Sequence, residues 1–501
     1  MKKTKTENTR SSGIIMHISS LPDNYGIGRM GKSAYNFVDW LSLAGQKIWQ
    51  ILPLSPTSFG DSPYQSFSVN AGNPYFIDLE LLTEEKLLKK SDYSGLDWGE
   101  SETEVDYEKI FNNTFGVLKT AYRNFIGKGR GIDGFEAFKE KNPWVKSYGL
   151  FMALKTEHNG ASWDLWEKDL VFRKESALKE AEKRLSEEID FYAFLQYKFY
   201  EQWGNLKAYA NEKGIKIIGD IPIYVAYDSV EVWEQPELFY LDEDKKPVEV
   251  AGCPPDCFSP TGQLWGNPLY NWDYHKQTGY KFWIDRISAA SKLYDTIRID
   301  HFRGFDSYYS IPYGNKDAVV GKWNKGVGIE LFKVVNAELG NIDIIAEDLG
   351  FITKSVERLL KKSGYPGMKV LEFGFEPDGK SVYIPHNFKS SNCVCYTGTH
   401  DNDTAYGWAM SLKGDELKYA KEYLGVKSKK AIPDGLIRLA WSSIADRAIA
   451  QMQDILGLGS EARMNVPSTL GTNWKFRATK EMFTEELAVK LKTLTEIYNR
   501  I

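Results

Sequence analysis

The chain has 501 residues, 42% of them hydrophobic and 26% charged, with a formal net charge of −5. That size and apolar content suffice for a large buried core, as several ordinary domains or as one barrel enlarged by insertions. The acidic balance argues against a nucleic-acid or membrane-surface partner, which would favour a basic patch, and no apolar run approaches a membrane span.

From the N-terminus, Met1 to Ser12 is polar and carries Lys2, Lys3, Lys5 and Arg10. No apolar signal core follows, so a cytoplasmic location is expected. Near-continuous apolar runs then predict eight strands, at Gly13–Ile18, Lys47–Leu52, Lys216–Gly219, Thr296–Ile299, Asp343–Ala346, Met368–Glu372, Val394–Thr397 and Arg463–Val466. Runs of this kind, rather than alternating ones, suit parallel strands covered on both faces. Helical patterns precede several of them: Ser33 to Ala44, Asp190 to Asn211, Phe282 to Leu293 and Ile329 to Leu339. The predicted fold is therefore a (β/α)8 TIM barrel with inserted, mainly helical subdomains and no C-terminal β-domain. Residues 13–80 hold strands one and two and a first active-site loop, and 81–188 read as an inserted helical subdomain. Residues 189–501 complete the barrel, with 224–272, rich in Pro, Gly and aromatics, as a long active-site loop.

Several of these strands end in carboxylates. The segments are Ile215-Lys-Ile-Ile-Gly-Asp220, Thr296-Ile-Arg-Ile-Asp-His-Phe-Arg-Gly304, Ile342-Asp-Ile-Ile-Ala-Glu347-Asp348 and Cys393-Val-Cys-Tyr-Thr-Gly-Thr-His-Asp401. In a barrel the carboxyl ends of all strands converge on the one face that holds the chemistry. Asp300 and Glu347 end consecutive strands and can face each other across a substrate, as a nucleophile and an acid/base for a glycosidic bond must. Arg298, two residues before Asp300, would keep that carboxylate ionised, and crowding by the other acids would drive a proton to Glu347. Asp401 adds a third acid, and His400 beside it is a donor for a substrate hydroxyl. Capping of a following helix explains any single strand-end acid, but not all of them at one mouth. The chain also has 15 Trp, 29 Tyr and 26 Phe. Most of these fill the core, and a minority are free to stack on pyranose faces.

Two patterns point elsewhere and are set aside. Gly26-Ile-Gly-Arg-Met-Gly31-Lys32-Ser33 satisfies a phosphate-loop pattern, but seven residues separate it from the preceding strand, whereas a phosphate loop follows its strand directly. Cys253/Cys257 and Cys393/Cys395 could supply zinc ligands, yet the second pair sits two apart on a predicted strand without a turn. Cys393 and Cys395 are read as small apolar filling, and no metal or cofactor is expected.

Taken together the motifs resemble the amylomaltase, or 4-α-glucanotransferase, family, related to the α-amylase superfamily. The resemblance runs from about Gly13 to Arg477. It rests on Gly60-Asp-Ser-Pro-Tyr-Gln-Ser-Phe67, Ala71-Gly-Asn-Pro-Tyr75, Gly219-Asp-Ile-Pro-Ile-Tyr-Val225, Pro254-Pro-Asp256, Thr261-Gly-Gln-Leu-Trp-Gly-Asn-Pro268, Arg298-Ile-Asp-His301, Ala346-Glu-Asp-Leu-Gly350, Thr399-His-Asp-Asn402 and Arg463-Met-Asn-Val-Pro467. It implies Asp300 as nucleophile, Glu347 as acid/base and Asp401 as transition-state stabiliser. It further implies that Arg298, His400, Asp220, Tyr64, Ser62 and Asn465 line the donor side, and that Trp265 and Gln263 lie on a loop arching over the glucan. The implied substrates are α-1,4-glucans and glucose, as donor and acceptor, for a monomeric or homodimeric enzyme. An α-glucan hydrolase or a non-catalytic glucan-binding protein on the same scaffold are the alternatives. Phe59, where many members carry Tyr, and Pro260 depart from the pattern and bear on subsite preference.

Overall fold

The computed structural model describes residues 10–129, 131–255 and 259–501, with the backbone alone at Phe59. The expectations placed on the Phe59 ring and on Asp256, Cys257 and Phe258 lie outside the described residues. Eight parallel strands form the barrel: β1 (Ser11–Ile15), β2 (Ile48–Gln50), β3 (Lys216–Ile221), β4 (Thr296–Ile299), β5 (Ile344–Ala346), β6 (Gly367–Val370), β7 (Cys393–Tyr396) and β8 (Arg447–Gln451). They pair in the order β6-β7-β8-β1-β2-β3-β4-β5. The remaining seam closes where Ala346 N donates to Pro366 O at 3.0 Å and Met368 N donates to Asp348 Oδ1 at 2.6 Å.

Side chains alternate across each strand, so every strand serves two cores. Ile15, Ile48, Ile218, Ile345, Met368, Val394 and Ile449 fill the barrel interior. Their neighbours Ile14, Trp49, Ile217, Ile297, Ile344, Cys395 and Ala448 face the surrounding helices. Burial on both faces explains why these strands read as unbroken apolar runs. It also accounts for Cys393 and Cys395, which are buried on β7.

Seven strands lie where the sequence predicts them, within a few residues. The eighth does not. Arg463–Val466 makes no strand, and the barrel closes instead through β8, Arg447–Gln451. This strand carries one β-branched residue, Ile449, between two alanines, and it follows helix Ile432–Ser442 closely. Alanine favours helix, so local propensity reads the segment as a continuation of that helix. Pairing with β1 and β7 overrides it. No strand follows β8 among the described residues, and helix Glu485–Ile497 returns beneath the barrel. There Thr495 Oγ1 accepts hydrogen bonds from Gln46 Nε2 and Trp441 Nε1, both at 3.0 Å.

Between β2 and β3 the chain forms helices Leu79–Glu84, Tyr107–Lys128, Ile132–Lys141, Trp144–Glu157, Glu175–Arg184 and Ser186–Glu212. The last runs unbroken through residue 188 and delivers the chain to β3. The segment 224–272, predicted as loop, contains two strands, Glu249–Cys253 and Gln263–Pro268. They join Ser307–Pro312 and Lys322–Lys325 in a four-stranded antiparallel sheet. Half of that sheet comes from residues beyond β4, a long-range pairing that no local pattern announces. The glycines of the phosphate-loop pattern serve close packing. A side chain on Gly28 would meet Ile18 O at 1.9 Å, and one on Gly31 would meet Asp78 Oδ2 at 1.9 Å. Asp78 thus places a carboxylate at the start of helix Lys32–Leu43, where a phosphate would have to sit.

Glu231 ties helix Val230–Glu234 to the first active-site loop, its Oε1 accepting from Ser68 Oγ and Val69 N at 2.9 Å each. Burial, only partly offset by these bonds, pushes its carboxyl up to about 7. Below pH ~4.5 the group is protonated in folded and unfolded chains alike. Between there and about 7 only the folded chain holds the proton, so stability falls as pH rises through that window. Glu231→Gln should therefore show a smaller fall in thermal midpoint between pH 5 and pH 8 than the wild type. An unchanged slope would place the titration elsewhere.

Candidate active site

β4 sends Thr296, Arg298 and Asp300 toward the interior and Ile297 and Ile299 toward the helices, as the period of two requires. A guanidinium inside a barrel needs a partner, and the register supplies one. Asp220 on β3 lies directly opposite Arg298. Its Oδ2 accepts from Arg298 Nη1 and, at 2.7 Å, from the Tyr64 hydroxyl. The same Nη1 lies 3.0 Å from Asp300 Oδ1. Arg298 thus bridges two carboxylates, and its Nε points at Met368 Sδ across the barrel, 3.5 Å away. This charge environment holds its pKa well above the ordinary guanidinium range, against the effect of burial. The Asp220 side chain is 1% exposed and that of Asp300 28%, so Asp220 anchors and Asp300 remains open to a ligand.

On the other side of β4, Ile299 pairs with Ala346 on β5, which sets Asp300 beside Glu347. His301 takes a left-handed conformation, φ 52°, immediately after Asp300. This conformation is costly for a residue with a Cβ, by about 1–2 kcal/mol. The His301 N–H donates to Glu347 Oε2 at 2.7 Å, and Leu349 N donates to Oε1 at 2.7 Å. Glu347 is 9% exposed and fixed in one orientation by these bonds. Burial raises the affinity of both Asp300 and Glu347 for protons, and at Asp300 the charges of Asp220, Glu347 and Asp401 add to it. Arg298 opposes the rise at both, and the two backbone N–H groups oppose it at Glu347. One guanidinium cannot neutralise several clustered carboxylates, so both acids hold protons more tightly than ordinary carboxylates, and of the two Asp300 is in direct contact with Arg298.

Asp401 follows β7 and is the most open of the acids, its side chain 44% exposed. His400 Nε2 lies 3.3 Å from Asp401 Oδ2, and Asn465 Nδ2 donates to Oδ1 at 2.6 Å. Burial lowers the His400 pKa below its ordinary value, which keeps the ring neutral. Tyr64 stacks on that ring, centroids 5.1 Å apart and planes within 14°. Ser62 shapes the same turn by accepting from Tyr64 N at 3.2 Å.

Trp265 and Gln263 stand on a strand of the four-stranded sheet, where a mobile loop is expected from the sequence. The Trp265 indole donates to Gln263 Oε1 at 3.1 Å and meets the His301 ring edge-on, with centroids 4.8 Å apart. Gln65 Nε2 reaches Trp265 O at 3.3 Å and so links the first active-site loop to this strand. All the predicted site residues therefore fall in one connected network. Trp474, which packs against both Tyr64 and His400, and Gln65 escape the sequence reading. Trp474 lies on an irregular segment with no periodicity to mark it, while Gln65 is inside a quoted motif and is distinguishable only by its contacts. Among the described residues no cluster of His, Cys, Asp and Glu has the arrangement of a metal site, and no helix is long and apolar enough to cross a membrane.

A clustered carboxylate pair whose proton affinity burial raises, open on one side toward aromatic rings, can attack an acetal carbon and protonate its leaving oxygen. Comparison with known proteins agrees with that chemistry. The 4-alpha-glucanotransferase family model matches residues 16–482. A 4-alpha-glucanotransferase of Clostridium butyricum is 51% identical over 488 residues, covering 97% of this chain and 100% of the relative. Another from Thermus thermophilus is 44% identical over 501 residues, covering 98% and 99%. The solved structure of the amylomaltase from Streptococcus agalactiae in complex with acarbose superposes with a TM-score of 0.96 at 46% identity, over 98% of this chain and 99% of that one. An eight-stranded barrel with acids at its strand ends, matched over nearly its whole length by these relatives, belongs to the 4-alpha-glucanotransferase family.

Proposed function

We propose that this 4-α-glucanotransferase moves a segment of an α-1,4-glucan to the 4-hydroxyl of glucose or of another glucan by retaining double displacement. The observation that carries the mechanism is the register that sets Asp300 beside Glu347, with Arg298 against Asp300. Adjacent parallel strands lie roughly 4.8 Å apart. Carboxyls at one register of neighbouring strands suit the ~5–5.5 Å separation of a covalent mechanism better than the ~6.5–9.5 Å that leaves room for a direct water attack. In the first step an Asp300 carboxylate oxygen forms a bond to the anomeric carbon. The bond from that carbon to the leaving O4 breaks, and the Glu347 proton passes to O4. In the second step Glu347, now ionised, takes the proton of an acceptor hydroxyl, whose oxygen displaces Asp300. Asp401, held by Asn465 and His400, faces the positive charge that develops on the sugar in both transition states. Arg298, Asp220, Tyr64, His400 and Ser62 form the donor side, and Gln263 and Trp265 face the glucan from the sheet above. No residue in this scheme needs a metal or cofactor.

Asp300→Ala and Glu347→Gln should each lower the rate by about 10⁴-fold or more, because either change removes one partner of a two-step covalent cycle. Turnover near that of the wild type in Asp300→Ala would exclude it as nucleophile. Trp265→Ala should weaken use of long glucans more than short ones, by about 1–3 kcal/mol, the scale of ring stacking elsewhere. Equal losses with maltotriose and amylose would count against a stacking role.

Transfer and hydrolysis share the Asp300-linked intermediate and differ in whether Glu347 activates a sugar hydroxyl or water. A tenfold preference for the sugar needs only about 1.4 kcal/mol between the two transition states. The half-buried Trp265 and the Tyr64 loop supply acceptor surface and cover. Maltotriose should therefore give glucose and a ladder of longer maltooligosaccharides with little rise in reducing ends. A steady rise without longer products would make the enzyme a hydrolase.

A further inference from the structure

Arg463 belongs to the Arg463-Met-Asn-Val-Pro467 motif, yet no role in the chemistry has been attached to it. It stands on the irregular segment that follows β8, and its guanidinium makes two bonds of unusual placement. Nη2 donates to the backbone oxygen of Asp401 at 2.6 Å, and Nε donates to the backbone oxygen of Asn465 at 2.8 Å. One rigid planar group thus spans two segments that come from opposite sides of β8 in the chain. The span matters because Asn465 Nδ2 is the donor to Asp401 Oδ1, at 2.6 Å. Two N–H groups in fixed mutual geometry set the separation of the two backbones, and that separation sets the aim of the amide at the carboxylate.

A second set of groups supports the same arrangement from behind. Glu372, just beyond β6, is 8% exposed, and its Oε1 has no hydrogen-bond partner. Its neighbours Asp403 and Asp454 lie on the turn after β7 and on the short helix Met452–Leu456 after β8. Gln451 Nε2 donates to Asp403 O at 3.1 Å, and Asp454 Oδ1 accepts from Ala405 N at 2.7 Å, so the turn that carries Asp401 is anchored on both sides. Burial and these acids raise Glu372 well above the ordinary carboxylate range, while Arg463 draws it back. The Arg463 charge therefore acts on Glu372 as well as on the Asp401 carbonyl that it touches.

We infer that Arg463 is a positioning residue for Asp401. It acts by fixing the Asp401 backbone relative to Asn465, so that the carboxylate meets the sugar at the moment charge develops. The inference rests on the reading of Asp401 as the group that stabilises that charge. Loss of such positioning changes an interaction made chiefly in the transition state, so it lowers kcat and leaves KM nearly unchanged.

The test compares Arg463→Ala, Arg463→Lys, Asp401→Asn and the double variant Asp401→Asn/Arg463→Ala in maltotriose transfer, with thermal midpoints measured alongside. Arg463→Ala should lose about 10²-fold in kcat with KM within about threefold, the loss typical of a misplaced transition-state contact. Millimolar guanidinium ion should restore part of it. Lysine can make one of the two bonds, so Arg463→Lys should fall between alanine and wild type and carries the test if the alanine variant does not fold. The double variant should be no slower than Asp401→Asn alone. A folded Arg463→Ala with wild-type kcat, a raised KM at unchanged kcat, or losses that multiply in the double variant would each overturn the inference. Wild-type kcat in Asp401→Asn would instead overturn the reading of Asp401 itself.

Discussion

The ion triad of Asp220, Arg298 and Asp300 is the constraint on which the site is built. A guanidinium 3% exposed inside a β-barrel is costly unless its charge and its N–H groups are met. Cross-strand register brings Asp220 against it, and the period of two along β4 brings Asp300 to the same side. The first acid is buried with the cation and takes a further bond from Tyr64, while the second keeps one side free. The arrangement gives one carboxylate a permanent partner and leaves the other oriented and accessible. Removing either partner of such a pair typically costs about 3–5 kcal/mol, so the same contacts that prepare the chemistry also hold the strands in register.

Glu347 depends on this frame without touching the cation. Its two oxygens are fixed by backbone N–H groups from His301 and Leu349, the first of which is a left-handed residue. Conformational strain thus lies at a residue in direct contact with Glu347, a placement common where geometry must be held before reaction. The proton balance has the same origin. With Arg298 in contact with Asp220 and Asp300, burial raises the proton affinity of Glu347, which the guanidinium opposes without touching it. Two chemically similar side chains thus differ in which of them meets the guanidinium.

Around this centre the cleft is assembled from parts far apart in the chain. The loop after β2 brings Tyr64, and the segment after β8 brings Asn465 and Trp474. The small antiparallel sheet, made of strands before and after β4, holds Trp265 against His301. Gln65 and Glu231 tie the first loop to this sheet and to the helix beneath it. Cover over the cleft is therefore anchored at several points. That is what a transferase requires to exclude water while an acceptor enters.

Much of this was legible from residues alone because it depends on short-range rules. Parallel strands buried on both faces announce themselves as apolar runs, and an acid that ends such a run in a barrel has only one face to occupy. Asp300, Glu347, Asp401 and Arg298 could be singled out on that basis. β8 could not, since Ala448-Ile-Ala450 carries the propensity of a helix and becomes a strand only between β1 and β7. The strand bearing Trp265 is predicted as loop for a related reason: its ladder partner, Glu249–Cys253, is itself held by Ser307–Pro312 beyond β4. The sequence by itself determined which residues carry charge at the barrel mouth and the period that brings Arg298 and Asp300 to one side. Tertiary structure decided what each charge meets: Asp220 opposite Arg298, two N–H groups on Glu347, and Arg463 across Asp401 and Asn465. Pairing across strands is set by the closure of the whole barrel, and closure is a property that no local stretch of chain contains.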